Sequence, residues 1–146
     1  MRNICFNLMP KTLENFGLVA SIKELCKQTE VSEKLIFKIK APDNFPLLDK
    51  QLEISLFRVV QEFINNSLKH SSANKINIEL LQKSSTAIII LKDNGKGFNI
   101  KSAIKKNGMG LRNVQSRIVP YNGEIFITST PGKGTQYKII IPLITG

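Results

Sequence analysis

Over the first half of the chain the apolar positions run at helical intervals, then alternate, then return to helical intervals. Leu8, Leu13, Phe16, Ile22 and Leu25 make a partial apolar stripe over residues 1–30, which Pro10 and Gly17 would kink or start. Standing at the N-terminus, such a stripe needs a partner, in the following domain or outside the chain. Residues 34–40 alternate like a half-buried strand, and residues 41–46, with two prolines, break the pattern as a loop. From residue 49 to residue 69 the helical period returns. Leu52, Leu56, Val59, Val60, Phe63, Ser67 and Leu68 recur at three- and four-residue steps and, at ~100° per residue, share one broad arc. Arg58, Glu62, Asn65, Asn66 and Lys69 fall on the opposite side.

Two strands follow, over residues 75–81 and 86–92, separated by Gln82-Lys83-Ser84-Ser85, a spacing that suits a hairpin. Residues 93–108 carry no sustained period and are dominated by Gly, Asn and Lys, which predicts a loop with a short helical turn near residues 100–105. A short helix over residues 110–119 stops at Pro120. Asn122-Gly123 and Pro131-Gly132 mark turns around a strand at residues 124–128, and the last strand spans residues 135–141. The order β-α-β-β-loop-α-β-β predicts an α/β sandwich: a mixed sheet, helices on one face, loops over the other side.

Length changes this picture little, since 146 residues suit one domain able to bury roughly two-thirds of its unfolded surface. The longest unbroken apolar run, residues 87–91, is far too short to span a bilayer, and the first ten residues lack the apolar core of a signal peptide. Cys5 and Cys26 show no C-x-x-C spacing, so neither a disulfide framework nor a zinc site is indicated and a reducing, cytoplasmic setting fits. A net charge of +10 raises polyanion binding. However, the lysines are scattered, Trp is absent and no aromatic residues interleave with basic ones as a base-stacking platform requires. Nucleic acid is therefore not expected as a direct ligand. A nucleoside triphosphate or an acidic partner accounts for the charge equally well.

Three polar stretches carry the candidate chemistry. In the first, Glu62 and Asn66 stand four apart on one helix and project to the same side, about 5–6 Å apart at Cβ. The amide oxygen of Asn66 can ligate Mg²⁺, a hard cation completed by waters and substrate phosphates. Glu62 can orient or deprotonate a nucleophile, and Lys69 on the same face can neutralise a phosphate. The same spacing also describes a solvated helix face. His70, the only histidine, ends this helix, where a dipole partner or a structural hydrogen-bonding residue is the simpler reading.

In the second stretch, Asp93-Asn94-Gly95-Lys96-Gly97, an Asp at a strand end can accept from an exocyclic amine, and glycines admit close backbone approach. An ordinary Asx turn has the same composition. In the third, Gly108-Met109-Gly110-Leu111 opens a helix whose free N–H groups suit phosphate oxygens. Gly132-Lys133-Gly134-Thr135 reads as a hairpin turn, with Thr135 placed to add a hydroxyl to a base pocket.

Taken in order, these motifs resemble the catalytic, ATP-binding domain of bacterial two-component sensor histidine kinases, within the gyrase–chaperone–kinase–MutL ATPase superfamily. Glu62-x-x-x-Asn66-x-x-Lys69-His70 resembles its N box, Asp93-x-Gly95-x-Gly97-Phe98 the first glycine box, and Gly108-Met109-Gly110-Leu111 the second. Gly132-x-Gly134-Thr135 matches the final element. The Gly-x-Gly-Leu-Arg-Asn-Val run and His70 after the N box are similar to the nitrate-sensor and DesK-like subgroup.

The resemblance implies a mixed five-stranded sheet with helices on one face and ATP between the N-box helix and a flexible lid. It implies Asn66 on Mg²⁺, Asp93 on the adenine amine, and Gly95, Gly97, Gly108 and Gly110 shaping pocket and lid. Glu62 would assist transfer, while Lys69, His70, Leu111 and Thr135 would line the nucleotide site. The implied partners are a phosphoacceptor histidine on a preceding helix, a response regulator, and a second copy of the parent kinase, which is cytoplasmic or anchored in the inner membrane. Residues 1–30 resemble the end of the dimerisation and phosphoacceptor region, leaving residues 31–146 as the catalytic domain.

One departure stands out: no histidine occurs except His70, so the phosphoacceptor is absent from this sequence. The chain is expected to be a catalytic fragment that binds ATP without autophosphorylating. A related ATPase or an anti-sigma-factor serine kinase would share the pocket, and a basic interaction module with a decayed site is the non-enzymatic alternative.

Overall fold

A computed structural model of the protein describes residues 11–33, 35–97 and 111–143. The elements are α1 (Lys11–Ser32), β1 (Ile36–Lys40), α2 (Lys50–Asn66), β2 (Lys75–Lys83), β3 (Thr86–Asp93), α3 (Leu111–Ile118), β4 (Glu124–Thr130) and β5 (Gly134–Pro142). Every strand and helix expected within the described residues is present, and the ends differ by only a few residues. The loop and helical turn expected between Phe98 and Gly108 lie outside the described residues.

The sheet has five strands in the order β1-β2-β3-β5-β4. β1 and β2 are parallel, joined by the α2 crossover, and the other pairs are antiparallel, so the sheet is mixed. Alternation sets its two faces. Ile76, Ile78 and Leu80 of β2, Ile89 and Leu91 of β3, and Tyr137, Ile139 and Ile141 of β5 are buried against the helices. The partner layer is the apolar arc of α2, with Leu56, Val59, Val60 and Phe63 buried and the Phe63 ring edge-on to Tyr137 at 4.8 Å. The helices thus occupy one face, as expected. The opposite face stays open among the described residues instead of lying under loops, because the α2 crossover runs on the helix side.

α2 begins where the side chain of Asp49 accepts from the amides of Gln51 (3.0 Å) and Leu52 (3.3 Å) as an N-cap. Beyond Asn66 it does not end but widens into one π-helical turn, Ser67–Ser71, closed by Ser72 in the left-handed region. α1 is broken at Gly17 (φ 88°, ψ −172°). Both broken ends are satisfied by α2. Lys50 Nζ donates to the carbonyls of Leu13 (3.1 Å) and Glu14 (3.2 Å), and the amide of Leu18 donates to the Glu53 carboxylate. A cation thus meets the carbonyl end of one half and an anion the amide end of the next, as the peptide dipoles favour. Leu13, Leu18, Ile22, Leu25 and Cys26 join the same core as the sheet.

Candidate functional site

The last residue of β3, Asp93, faces the helix layer between Ile76 of β2 and Thr135 of β5. It is 3% exposed, which forces its carboxylate to find partners inside the protein. Oδ1 accepts from the amides of Gly95 (3.0 Å) and Thr135 (3.1 Å), and Oδ2 accepts from the hydroxyl of Ser67 (2.7 Å). The Gly95 bond is the Asx turn that the residue order predicts. The other two are long-range: the Ser67 bond holds the carboxylate to the turn that continues α2, and the Thr135 bond holds it to the start of β5. A carboxylate oxygen has two acceptor positions, so Oδ2 keeps one for a further donor.

The turn after Asp93 is clamped on both sides. Asn94 Oδ1 accepts from the amides of Asn74 and Lys75, while its Nδ2 donates to Asn74 Oδ1 at 2.7 Å, closing the turn onto the start of β2. On the other side the amide of Gly132 donates to the Lys96 carbonyl. Gly97 (φ 66°) and Gly134 (φ 90°) are needed here for two reasons. Their backbones sit in the left-handed region, and a Cβ would collide with the carbonyl oxygen of Thr130 at the first and of Asp93 at the second. Thr135 is buried, with its hydroxyl 2.9 Å from that of Ser129.

The polar side of α2 meets this cluster through Tyr137. Burial pushes the Tyr137 phenol up to about 12; the hydrogen bond with the Asn66 carboxamide acts in the opposite direction, and the charges of Glu62 and Asp93 raise it further. Tyr137 is therefore hydrogen-bonded to Asn66 and lies within electrostatic reach of Glu62 and Asp93. Glu62 Oε1 also accepts from Arg117 Nη2 of α3 at 3.0 Å, both side chains being about one-third exposed. Glu62 Oε2 and Arg117 Nε are buried and have no partner among the described residues.

Of the residues expected from sequence, Glu62, Asn66, Asp93, Gly95, Gly97 and Thr135 converge. Lys69 is exposed on the π-helical turn. His70 lies on the same turn, but its side chain lies outside the described residues, as do Gly108 and Gly110. Leu111 is the first residue of α3, its side chain likewise outside the description. Sequence reasoning missed Ser67, Tyr137 and Arg117. The signal for Ser67 was available: a small hydroxyl residue interrupting an otherwise apolar arc. For Arg117 nothing local distinguished it from other surface cations.

An oxygen-donor set fits a hard cation here. Asn66 offers a carboxamide oxygen beside Glu62, and no group of three or more His, Cys, Asp or Glu that could hold a metal occurs among the described residues. Any cation would thus need oxygens from its ligand. Two concavities, of 560 Å³ at the ends of β1 and β2 and 380 Å³ on the open sheet face, lie away from this cluster.

The family of histidine kinase-, DNA gyrase B-, and HSP90-like ATPases matches residues 51–145, which contain the whole cluster. The chain belongs to that family. Among curated relatives of this ATPase-family chain, the signal transduction histidine-protein kinase/phosphatase DegS of Brevibacillus brevis is 29% identical over 145 residues, covering 99% of this chain and 37% of DegS. The sensor protein VraS of Staphylococcus aureus (strain COL) is 33% identical over 145 residues, covering 98% of this chain and 40% of VraS. The chain thus spans about two fifths of the length of the curated relatives it matches.

Among solved structures, the histidine kinase domain of the Erythrobacter litoralis EL346 blue-light activated kinase superposes with a TM-score of 0.71 at 18% identity, covering 86% of this chain and 61% of that one. The Acinetobacter baumannii histidine kinase AdeS gives 0.68 at 21%, covering 92% and 74%. At these identities the likeness bears on the fold alone, and the α/β sandwich is that of histidine kinase catalytic domains. No helix among the described residues is long and apolar enough to cross a membrane.

Proposed function

We propose that this ATPase-family chain is the ATP-binding catalytic module of a sensor histidine kinase. The observation that carries the reading is the Asp93 carboxylate, buried, held by three donors, and still able to accept one more. Such a group suits the exocyclic amine of adenine, and a base lacking that amine leaves a buried acceptor unpaired. The Thr135 hydroxyl adds a second polar contact to the same pocket.

From the base, the nucleotide runs along the polar side of α2. Asn66, with its amide nitrogen turned to Tyr137, would offer its oxygen to Mg²⁺, Lys69 would contact a phosphate, and His70 would belong to the same nucleotide site. Gly95 and Gly97 would shape the pocket, and the motif of Gly108, Gly110 and Leu111 would serve the nucleotide from the chain that leads into α3. Mg²⁺ held through the Asn66 oxygen would supply positive charge for the transferring phosphoryl group. Glu62, oriented by Arg117, assists the incoming nucleophile. The acceptor is a histidine outside these 146 residues, because the sole histidine, His70, belongs to the N box.

In this reading residues 1–30 are the trailing end of the dimerisation and phosphoacceptor region, and residues 31–146 are the catalytic domain. The parent kinase is a homodimer that passes phosphate to a response regulator, with this module on the cytoplasmic side, whether or not the parent is anchored in the inner membrane.

Calorimetric titration tests the reading. The protein should bind a non-hydrolysable ATP analogue with Mg²⁺ and discriminate against the guanine analogue, and Asp93→Asn should erase that discrimination. Equal binding of both bases, or indifference to the Asp93 substitution, would defeat it. Incubation with labelled ATP should leave no acid-labile label on the chain.

A further inference from the structure

We infer that the open face of the sheet docks an acidic amphipathic helix of a partner protein. The inference is independent of the nucleotide site, which lies on the helix-covered side. The residues of the open face are read directly from strand alternation and register. Lys38 and Lys40 on β1, Lys75 on β2, Lys92 on β3 and Lys138 on β5 all project to it, with Lys83 at its far end. Against these six lysines the strands place only Glu79 and Glu124 on the same face. The scatter of basic residues along the sequence therefore becomes a cluster once the strands pair.

Cross-strand rows show how close the charges lie. Lys38, Asn77, Lys92 and Gln136 form one continuous row, and Lys40, Glu79, Ile90 and Lys138 form the next. With strands ~4.8 Å apart, two lysines separated by one neutral residue stand about 10 Å from each other, about one Debye length at 0.1 M salt and well inside it at lower ionic strength. Lys38, Lys40, Lys75 and Lys92 line a single concavity of 380 Å³. Like charges gathered at this spacing repel, and a counter-charged surface converts that repulsion into attraction and faster encounter.

The face is not uniformly polar. Leu81, Ile88 and Ile140 occupy one register row, Ile90 adjoins it, and Phe126, opposite Lys138, is 51% exposed. A basic field beside an apolar row matches a helix with carboxylates along one side and aliphatic side chains along the other. Laying a helix on a sheet face is also the layer arrangement that this domain already uses on its other side. Nucleic acid fits less well: among the described residues the face offers one aromatic ring, Phe126, in place of a stacking platform, and Glu79 stands between Lys40 and Lys138 in their row. A second copy fits less well too, since a chain of net charge +10 would oppose lysines to lysines.

The test is a titration of the isotope-labelled protein, followed by NMR, with a synthetic peptide of about four helical turns. The peptide carries glutamate on one face and leucine on the other. Amide shifts should move on β1, β2, β3 and β5 at Lys38, Asn77, Lys92 and Ile140, and the affinity should fall with added salt. The double variant Lys38→Glu/Lys138→Glu should weaken binding by about tenfold or more while leaving both the unfolding temperature and Mg²⁺–nucleotide binding unchanged. Four results would overturn the inference. They are no shifts on this face, equal binding of a sequence-scrambled peptide of the same charge, tighter binding of a single-stranded oligonucleotide there, or sedimentation showing the face covered by a second copy. Loss of nucleotide binding in the native protein would instead count against the function proposed above and leave this inference standing.

Discussion

The Ser67 hydroxyl donates to Asp93 Oδ2 at 2.7 Å, joining the end of the N-box helix to the end of β3 across 26 positions of sequence. Ser67→Ala should cost about 1 kcal/mol of stability, the usual net worth of one buried hydrogen bond, and should weaken adenine-nucleotide binding several-fold because the carboxylate loses one of its three restraints. Asp93→Ala is more damaging, since it leaves the amides of Gly95 and Thr135 and the Ser67 hydroxyl without an acceptor at roughly 1–3 kcal/mol each. Denaturant unfolding of both variants beside calorimetric titration separates the two effects; equal losses in the two would refute the assignment.

Arg117 and Glu62 bridge α3 to α2 at 3.0 Å, with about a third of each side chain exposed. Solvent screening at that exposure keeps the coupling to about 0.5–1 kcal/mol, read from a double-mutant cycle of Arg117→Ala and Glu62→Gln. Arg117→Lys should not restore it, because a point charge cannot reproduce the guanidinium geometry. Additive single effects would show that the two side chains do not communicate.

Gly132 and Gly134 have similar backbones, φ 84° and 90°, and different surroundings. An added Cβ at Gly132 meets nothing within 4 Å, so Gly132→Ala should cost only the backbone term of about 1 kcal/mol. At Gly134 the Cβ would strike the Asp93 carbonyl, and Gly134→Ala should lose about 2–4 kcal/mol through the same strain plus displacement of β5 from β3. Thermal unfolding of the pair measures the difference directly.

Glu53, beneath the break in α1, has its pKa raised above the usual 4.5 by burial, against the lowering effect of the amides of Leu48 and Leu18 and of Lys50. A raised folded-state pKa means that the folded protein holds this proton more tightly than the unfolded chain. Its contribution to stability is complete below the unfolded pKa and declines as pH rises through the folded one. Glu53→Gln, which cannot ionise, should gain stability relative to the native protein as pH climbs from 4 through the acid range. A flat difference between the two unfolding curves across that range would contradict the assignment.

Much of this was legible in the residue order, and the reason is locality. Strand alternation and helical period depend on neighbours within a turn or two, so β1 to β5 and the apolar arc of α2 could be read directly. Glu62, Asn66, Asp93 and the glycine pairs were legible because each motif is short. Ser67 was placed correctly on the buried arc, but its partner was not visible. The π-helical turn at Ser67–Ser71 was read as ordinary helix, since composition does not report a change in hydrogen-bond step. The break at Gly17 was expected; its stabilisation by Lys50 and Glu53 was not, because both come from the next helix.

By itself, the order of amino acids determined which segments become helix or strand, which side of each turns inward, and where the backbone must bend beyond what a side chain allows. Pairing of strands and packing of layers decided the rest. They set Ser67 on Asp93, Arg117 on Glu62 and Asn66 on Tyr137, and they gathered dispersed lysines onto one face. Periodicity is a property of a few consecutive residues, whereas contacts between residues 26 to 71 positions apart depend on register and layer stacking, which only the assembled fold contains.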